Sequence, residues 1–153
     1  MNRAILQRKT FQTAADQDAL KQVLAWFEDF QATCLPHDIW LQCQLALVEG
    51  VTNAIRHAHE GLPSETPVEI EVTLEADRID MRIWDRGPGF DMLGALHHKM
   101  ATTNQDSEGG RGLQIIYQVA DDISYETLPD QRNCLHISKR YQLGAIASEA
   151  EHS

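Results

Sequence analysis

The chain has 153 residues, 23 acidic and 13 basic, and a formal net charge of −10 at neutral pH. That length fits one domain with a substantial core and leaves little room for two. No basic cluster stands against the acidic background, so the footprint needed for sequence-independent binding to DNA or RNA is missing and no direct nucleic-acid partner is expected. Cys34, Cys43 and Cys134 form no CxxC pair and have no histidine at metal-ligand spacing, which reads as reduced core cysteines of a cytosolic protein. The start has no signal-peptide core and no apolar run approaches the roughly 20 residues of a bilayer span, so no membrane partner and a cytoplasmic location are expected. The expectation is a single domain over residues 1–143 and a small, polar, frayed tail over 144–153.

Ala4 to Phe11 reads as a first strand with weak alternation. From about Asp16 to Cys34, the apolar positions Leu20, Val23, Leu24, Phe27 and Phe30 recur at three and four, the mark of an amphipathic helix, with Thr13 or Asp16 as its cap. Pro36 breaks the chain, Asp38 can cap a second helix, and Gly61 followed by Pro63 ends it near Glu60. Within this helix Gly50 costs about 1 kcal/mol relative to alanine. It marks either a close approach by another backbone or a ligand, or a tolerated neutral position.

Pro67 to Ala76 alternates cleanly, with Val68, Ile70, Val72 and Leu74 on one face and Glu69, Glu71, Thr73 and Glu75 on a wet one. Ala76, Asp77 and Arg78 turn the chain; Ile79, Met81 and Ile83 then face inward, and Asp85 falls on the same side. A carboxylate that ends an apolar face is costly unless donors reach it, which singles Asp85 out. Phe90 to Glu108 has no periodicity and reads as a lid or binding loop. Leu113 to Ala120 reads as a helix entered directly from glycines, and Asp122 to Thr127 with Cys134 to Tyr141 as a closing hairpin joined through Pro129 and Asp130. This order implies an α+β fold: a two-layer α/β sandwich with a mixed, mostly antiparallel sheet and its helices on one face.

Three segments carry the candidate chemistry. On the second helix Glu49, Asn53 and His57 are spaced four apart and form a polar stripe. Alone the stripe also suits a solvated helix face; beside two glycine-punctuated segments it reads as the wall of a ligand site. The first of these is Asp85 to Gly89 (DRGPG), and the second is Gly109 to Leu113 (GGRGL). Glycines just ahead of a helix can offer bare N–H groups and the positive end of the helix dipole to an anion. Neither a Walker A loop nor GxGxxG is present.

ExxxN at Glu49 and Asn53, DxGxG at Asp85, Gly87 and Gly89, and GxG at Gly110 and Gly112 resemble, in order and spacing, the ATP-binding motifs of the GHKL superfamily. That superfamily, with the Bergerat fold, unites gyrase, heat-shock chaperone, histidine kinase and mismatch-repair ATPases. Within it, VTNAIRHA and EGGRGL are similar to the bacterial anti-sigma factor serine kinases of partner-switching pathways, over roughly residues 5 to 141.

The resemblance implies ATP and Mg²⁺ as cofactors. Asp85 would accept a hydrogen bond from the adenine amino group, and Gly87 and Gly89 would let the chain pass close to the base. The Asn53 oxygen would coordinate Mg²⁺, and Glu49 would be the general base for an incoming serine hydroxyl. Gly109, Gly110, Arg111, Gly112 and Leu113 would hold the phosphates beneath a lid over residues 90–108.

The chain departs from the family in two places. Where members often carry a Gly-Thr pair entering the last strand, it has Arg132, Asn133 and Cys134. Where sporulation-type kinases place an arginine before the final glycine motif, it has Glu108; Arg111 is then either a substitute or an ordinary solvated arginine. His57 is expected to pack or bond locally, and His97, His98 and Lys99 to be exposed lid residues.

The implied function is an ATP-dependent protein serine kinase and anti-sigma factor. It would phosphorylate a STAS-domain anti-sigma factor antagonist, bind a sigma factor, and pair as a homodimer through the N-terminal strand and first helix. Two other readings stay open. One is a nucleotide-gated binding module that transfers nothing; the other is a detached histidine-kinase catalytic domain served by a phosphoacceptor histidine on another chain.

Overall fold

The computed structural model describes residues 5–16, 18–30, 35–58, 61–88 and 108–142, with only the backbone at 30, 57, 58 and 108–111. Strand β1 (Ile5–Ala14) leads into helix α1 (Ala19–Phe27) and a 3₁₀ turn (Glu28–Phe30). Helix α2 (His37–Asn53) continues into a π turn (Ala54–Ala58), and β2 (Pro67–Glu75) and β3 (Arg78–Asp85) follow. Helix α3 (Glu108–Val119), β4 (Asp122–Thr127) and β5 (Asn133–Arg140) complete the order.

The strands form one five-stranded sheet in the order β1-β2-β3-β5-β4. All four pairings are antiparallel. Val68, Ile70, Val72 and Leu74 of β2 and Ile79, Met81 and Ile83 of β3 share the buried inner face, as alternation predicts. Leu135 and Ile137 of β5 continue it, and Phe27, Trp40, Leu47, Val51 and Ile116 of the helices close the core from above. The result is the two-layer α+β sandwich with helices on one face that the element order implies. Among the described residues, no helix is long and apolar enough to cross a membrane.

β1 runs three residues beyond its expected end because Thr13 and Ala14 still pair with Val68 and Pro67. Its alternation is weak because Gln7 and Lys9 sit opposite Leu74 and Val72 on the inner side of an edge strand. Lys9 reaches Asp29 at 3.2 Å. Helix α1 is shorter than expected, and Cys34 lies outside the described residues. Neither expected cap acts on it directly. Asp16 Oδ1 accepts the Asp18 N–H at 2.9 Å, and the Thr13 hydroxyl donates to Gln22 Oε1 at 2.9 Å. Helix α2 starts from Pro36 instead of Asp38; Asp38 sits in the first turn, where its charge suits the helix dipole. Gly61, with φ +84°, turns the chain after it as a left-handed glycine.

The outer face of β2 is wet only in part. Thr73 and Glu75 are buried, because Arg8 and Asp80 flank Thr73 across the sheet and Arg8 Nε donates to its hydroxyl at 3.4 Å. Next to it Asp80 Oδ1 meets His136 Nε2 at 2.8 Å and accepts from Ser138 Oγ at 2.9 Å, while Arg78 Nε donates to Oδ2 at 2.9 Å. Burial alone would raise the Asp80 pKa; the bonds from His136 and Ser138 and the Arg78 charge outweigh it and lower the value from 3.8 to about 2. Cys43 and Cys134 are free and buried. Burial raises their thiols to about 12 and about 11, as befits inert core cysteines.

Candidate functional site: two polar ends joined by one helix

Asp85 closes β3 with its side chain on the inner face, and it is only 3 % exposed. The donors that its burial demands come from the protein. Asp85 Oδ1 accepts the Gly87 backbone N–H at 3.0 Å and the Asn133 side-chain Nδ2 at 2.8 Å. The same Nδ2 donates to the Gly87 carbonyl at 2.8 Å, and Asn133 Oδ1 accepts from the Thr127 hydroxyl at 2.7 Å. Asn133 pairs with Asp85 on one side and with Thr127 on the other, so this chain of bonds crosses three strand ends. Among the described residues, no donor engages Asp85 Oδ2.

Nearby, burial pushes the Tyr125 phenol pKa up and the Asp85 charge adds to the rise, so Tyr125 keeps its proton at any ordinary pH. An open cavity of about 580 Å³ borders the strand ends, with Gly87, Pro88, Thr127 and Arg132 among its walls. That volume lies in the usual range for small-molecule sites, roughly 300 to 1,000 Å³. Its rim is charged. Arg132 reaches Asp130 at 2.7 Å and Glu69 at 3.4 Å, lies 5.5 Å from the Trp84 ring, and Arg86 reaches Glu69 at 3.3 Å.

Glu49 and Asn53 make the second end. They lie one turn apart on α2, Glu49 half-buried and Asn53 at 8 % exposure. Among the described residues, neither side chain has a hydrogen-bond partner. Both side chains are thereby left available to a ligand. Glu49 lies against α3, where a Cβ placed on Gly112 would come within 2.7 Å of Glu49 Oε1. Its carboxylate therefore rests in the space left by a missing side chain, in the early turns of α3, where the helix dipole favours negative charge.

Here the structure corrects the expected helix start. α3 begins at Glu108, so Gly109, Gly110, Arg111 and Gly112 are helical and do not form a loop ahead of Leu113. Packing of α3 on α2 overrides the low helix propensity of glycine. The free N–H groups of the first turn are then those of residues 108–111. Leu113 is buried in the core under this turn. The stripe Glu49, Asn53, His57 also loses its regular spacing, because the π turn begins directly after Asn53; such turns are frequent at functional sites.

Gly50 links the two ends. A Cβ on it would collide with Ile83 Cδ1 and lie 3.3 Å from Leu135 Cδ2, so α2 presses on the sheet here, and its close neighbours are core side chains. Ile83 and Leu135 are a cross-strand pair, one inner-face position from Asp85 and Asn133. Gly89, most of the expected lid at 90–108, and His97, His98 and Lys99 lie outside the described residues. Sequence reasoning missed the Asn133 and Thr127 bridge. The available signal was the departure at Arg132, Asn133 and Cys134 from the Gly-Thr pair that family members often carry there.

The donor set fits a nucleotide with a hard cation. Among the described residues, no group of three or more His, Cys, Asp or Glu could hold a metal. An ion held by one amide oxygen would complete its shell with phosphate and water, as Mg²⁺ commonly does.

Over 92 residues the chain is 35 % identical to the anti-sigma F factor of Bacillus licheniformis, covering 60 % of this chain and 62 % of that protein. It is 29 % identical over 90 residues to the serine-protein kinase RsbW of Bacillus pumilus, covering 54 % of this chain and 55 % of that one. The chain thus spans less than two thirds of the length of either relative. In fold it is similar to a chain of the SiaB-SiaC complex from Pseudomonas aeruginosa, with a TM-score of 0.59 and 13 % identity over 90 % of this chain and 91 % of that chain. The family model for the histidine kinase-like ATPase domain matches residues 13–139. The chain belongs to the histidine kinase-like ATPase domain family, whose chemistry implies ATP with a divalent cation.

Proposed function

We propose that the chain is an ATP-dependent protein serine kinase and anti-sigma factor that phosphorylates a STAS-domain anti-sigma factor antagonist in a partner-switching pathway. The observation that carries this reading is the pairing of Glu49 and Asn53, both without partners among the described residues, beside the glycine-rich start of α3. Likeness to an anti-sigma F factor and to a serine-protein kinase supports it.

In this reading Asp85 Oδ2 accepts the adenine amino proton at the strand ends, and Gly87 with Gly89 lets the base lie close to the backbone. Gly109, Gly110, Arg111, Gly112 and Leu113 form the segment that holds the phosphates, with free first-turn N–H groups as donors. The Asn53 side-chain oxygen would hold Mg²⁺, which would supply neutralisation of the phosphate charge. Glu49 accepts the proton of the serine hydroxyl as its oxygen bonds to the terminal phosphorus and the bond to the β-phosphate oxygen breaks. Positioning dominates such a transfer, and loss of the base costs about 10² to 10⁴ in rate.

The test is phosphoserine mass spectrometry on STAS-domain proteins from the same genome, incubated with Mg-ATP and the purified chain, beside Glu49→Ala. The expected result is serine phosphorylation that falls by about 10² or more in the variant. ATP binding with no transfer to any candidate would leave a nucleotide-gated binding module instead.

A cytoplasmic location, a sigma factor as second partner and a homodimer through β1 and α1 belong to the same proposal. Ile5 and Leu6, both about half exposed on the sheet edge, support the dimer. Sedimentation that gives a monomer at every concentration would remove it.

A further inference from the structure

Asp85 is the group that reads the base in the function proposed above, and the present inference rests on that reading. Reading requires that one carboxylate oxygen be presented in a fixed direction with its partner oxygen engaged elsewhere. An ionised carboxylate only accepts hydrogen bonds, so a base offering an amino group is welcomed and one offering a carbonyl oxygen is repelled. The discrimination is sharp only if the carboxylate cannot rotate.

We propose that Asn133 and Thr127 are the positioning and specificity-determining residues of this site: through Asp85, they select a purine nucleotide with a 6-amino group over its 6-oxo counterpart.

The geometry leaves Asn133 a single orientation. Its amide nitrogen faces two acceptors, Asp85 Oδ1 at 2.8 Å and the Gly87 carbonyl at 2.8 Å, which use both of its protons. Its oxygen faces the Thr127 hydroxyl at 2.7 Å. Flipping the amide would set its oxygen against two other oxygens and lose the Thr127 bond. With the amide fixed, Asp85 Oδ1 is filled by Asn133 and by the Gly87 N–H at 3.0 Å, and Oδ2 remains for the ligand. Asn133 is fully buried, so water does not substitute for these bonds. Thr127 is exposed at the end of an edge strand, so its hydroxyl, which donates to Asn133 Oδ1, can be removed without opening the core. The gating hydroxyl thus comes from β4, while the amide it orients opens β5.

The experiment uses the full chain with Mg²⁺ and measures, by titration calorimetry, the dissociation constants for ATP and for inosine triphosphate, which differ at the purine 6-position. The variants are Thr127→Val, Thr127→Ser and Asn133→Asp. Circular dichroism verifies the fold of each, and Thr127→Val carries the test if the buried variant does not fold.

The wild type should prefer ATP. Thr127→Val should weaken ATP about three- to tenfold, the worth of one neutral hydrogen bond, with little change for inosine triphosphate. Thr127→Ser should restore the preference, and a folded Asn133→Asp should lose it, because a second carboxylate then faces the first.

An unchanged ATP to inosine triphosphate ratio in Thr127→Val overturns the proposal, as does an equal loss for the two nucleotides, which marks a merely structural role. Failure of Thr127→Ser to rescue overturns it too. A wild type that binds neither nucleotide refutes the nucleotide reading itself. Binding by the wild type with unaltered selectivity in the variants refutes this inference alone.

Discussion

A methyl group at position 112 would displace the Glu49 carboxylate, whose Oε1 lies 2.7 Å from where that carbon would stand. The carboxylate is the far end of a flexible side chain and can swing away, so the clash itself is cheap to relieve. Alanine in place of glycine also favours the helix by about 1 kcal/mol. Gly112→Ala should therefore fold as well as the wild type or better, as judged by thermal melting, and still transfer phosphate at least tenfold more slowly, since displacing a general base costs on that order or more. Equal rates would show that Glu49 does not act from this position.

At this scale the sequence was informative in a specific way. Asp85 stood out because a carboxylate ended an apolar alternation, and the structure places it there, buried. Its partners were illegible. Asn133 lies 48 residues away in the chain, and only the strand order brings it beside Asp85.

At the scale of elements, α2 positions the candidate chemistry, and Gly50 sets its height above the sheet. A Cβ there meets Ile83 and Leu135 in a filled core, so the neighbours have nowhere to go. Overpacking costs about 1 to 3 kcal/mol, against a helix-propensity gain of about 1. Gly50→Ala should thus lose up to about 2 kcal/mol in urea unfolding and lower nucleotide affinity by lifting Glu49 and Asn53 off their line. A fully stable variant would mean that the helix can slide.

The strands and the cores of the helices were legible because alternation and the three-four spacing report directly on burial. Helix starts were less so. At Gly109 to Gly112 local propensity argues for a loop, and the contact of α3 with α2, invisible to any local window, decides for a helix.

For the whole molecule, acid sensitivity follows from the outer face of the sheet. Asp80 titrates at about 2 when folded and at its ordinary 3.8 when unfolded. A depressed folded value means that Asp80 stabilises the fold above its ordinary pKa, and that the contribution disappears as pH falls through that window. Urea midpoints taken between about pH 5 and pH 2 should therefore decline more steeply in the wild type than in Asp80→Asn, which should be the less stable of the two at the upper end. Parallel curves would place the acid-sensitive group elsewhere. The sequence hid this cluster because Asp80, His136 and Ser138 fall on strand positions that alternation assigns to water.

β5, the final strand of the sheet in chain order, does not lie at an edge: it sits between β3 and β4. A chain still emerging from the ribosome can zip β1, β2 and β3, yet it leaves β3 with an open edge until the β4–β5 hairpin docks as a unit. Pairing β5 with β3 brings together residues 48 apart in the chain, and the same pairing delivers Asn133 to Asp85. The Asn133–Asp85 bond therefore exists only where the β3–β5 pairing is complete. A ligand bound at the strand ends would act as a clasp on the finished topology, stabilising the completed fold in proportion to its occupancy and leaving partly folded chains unrewarded.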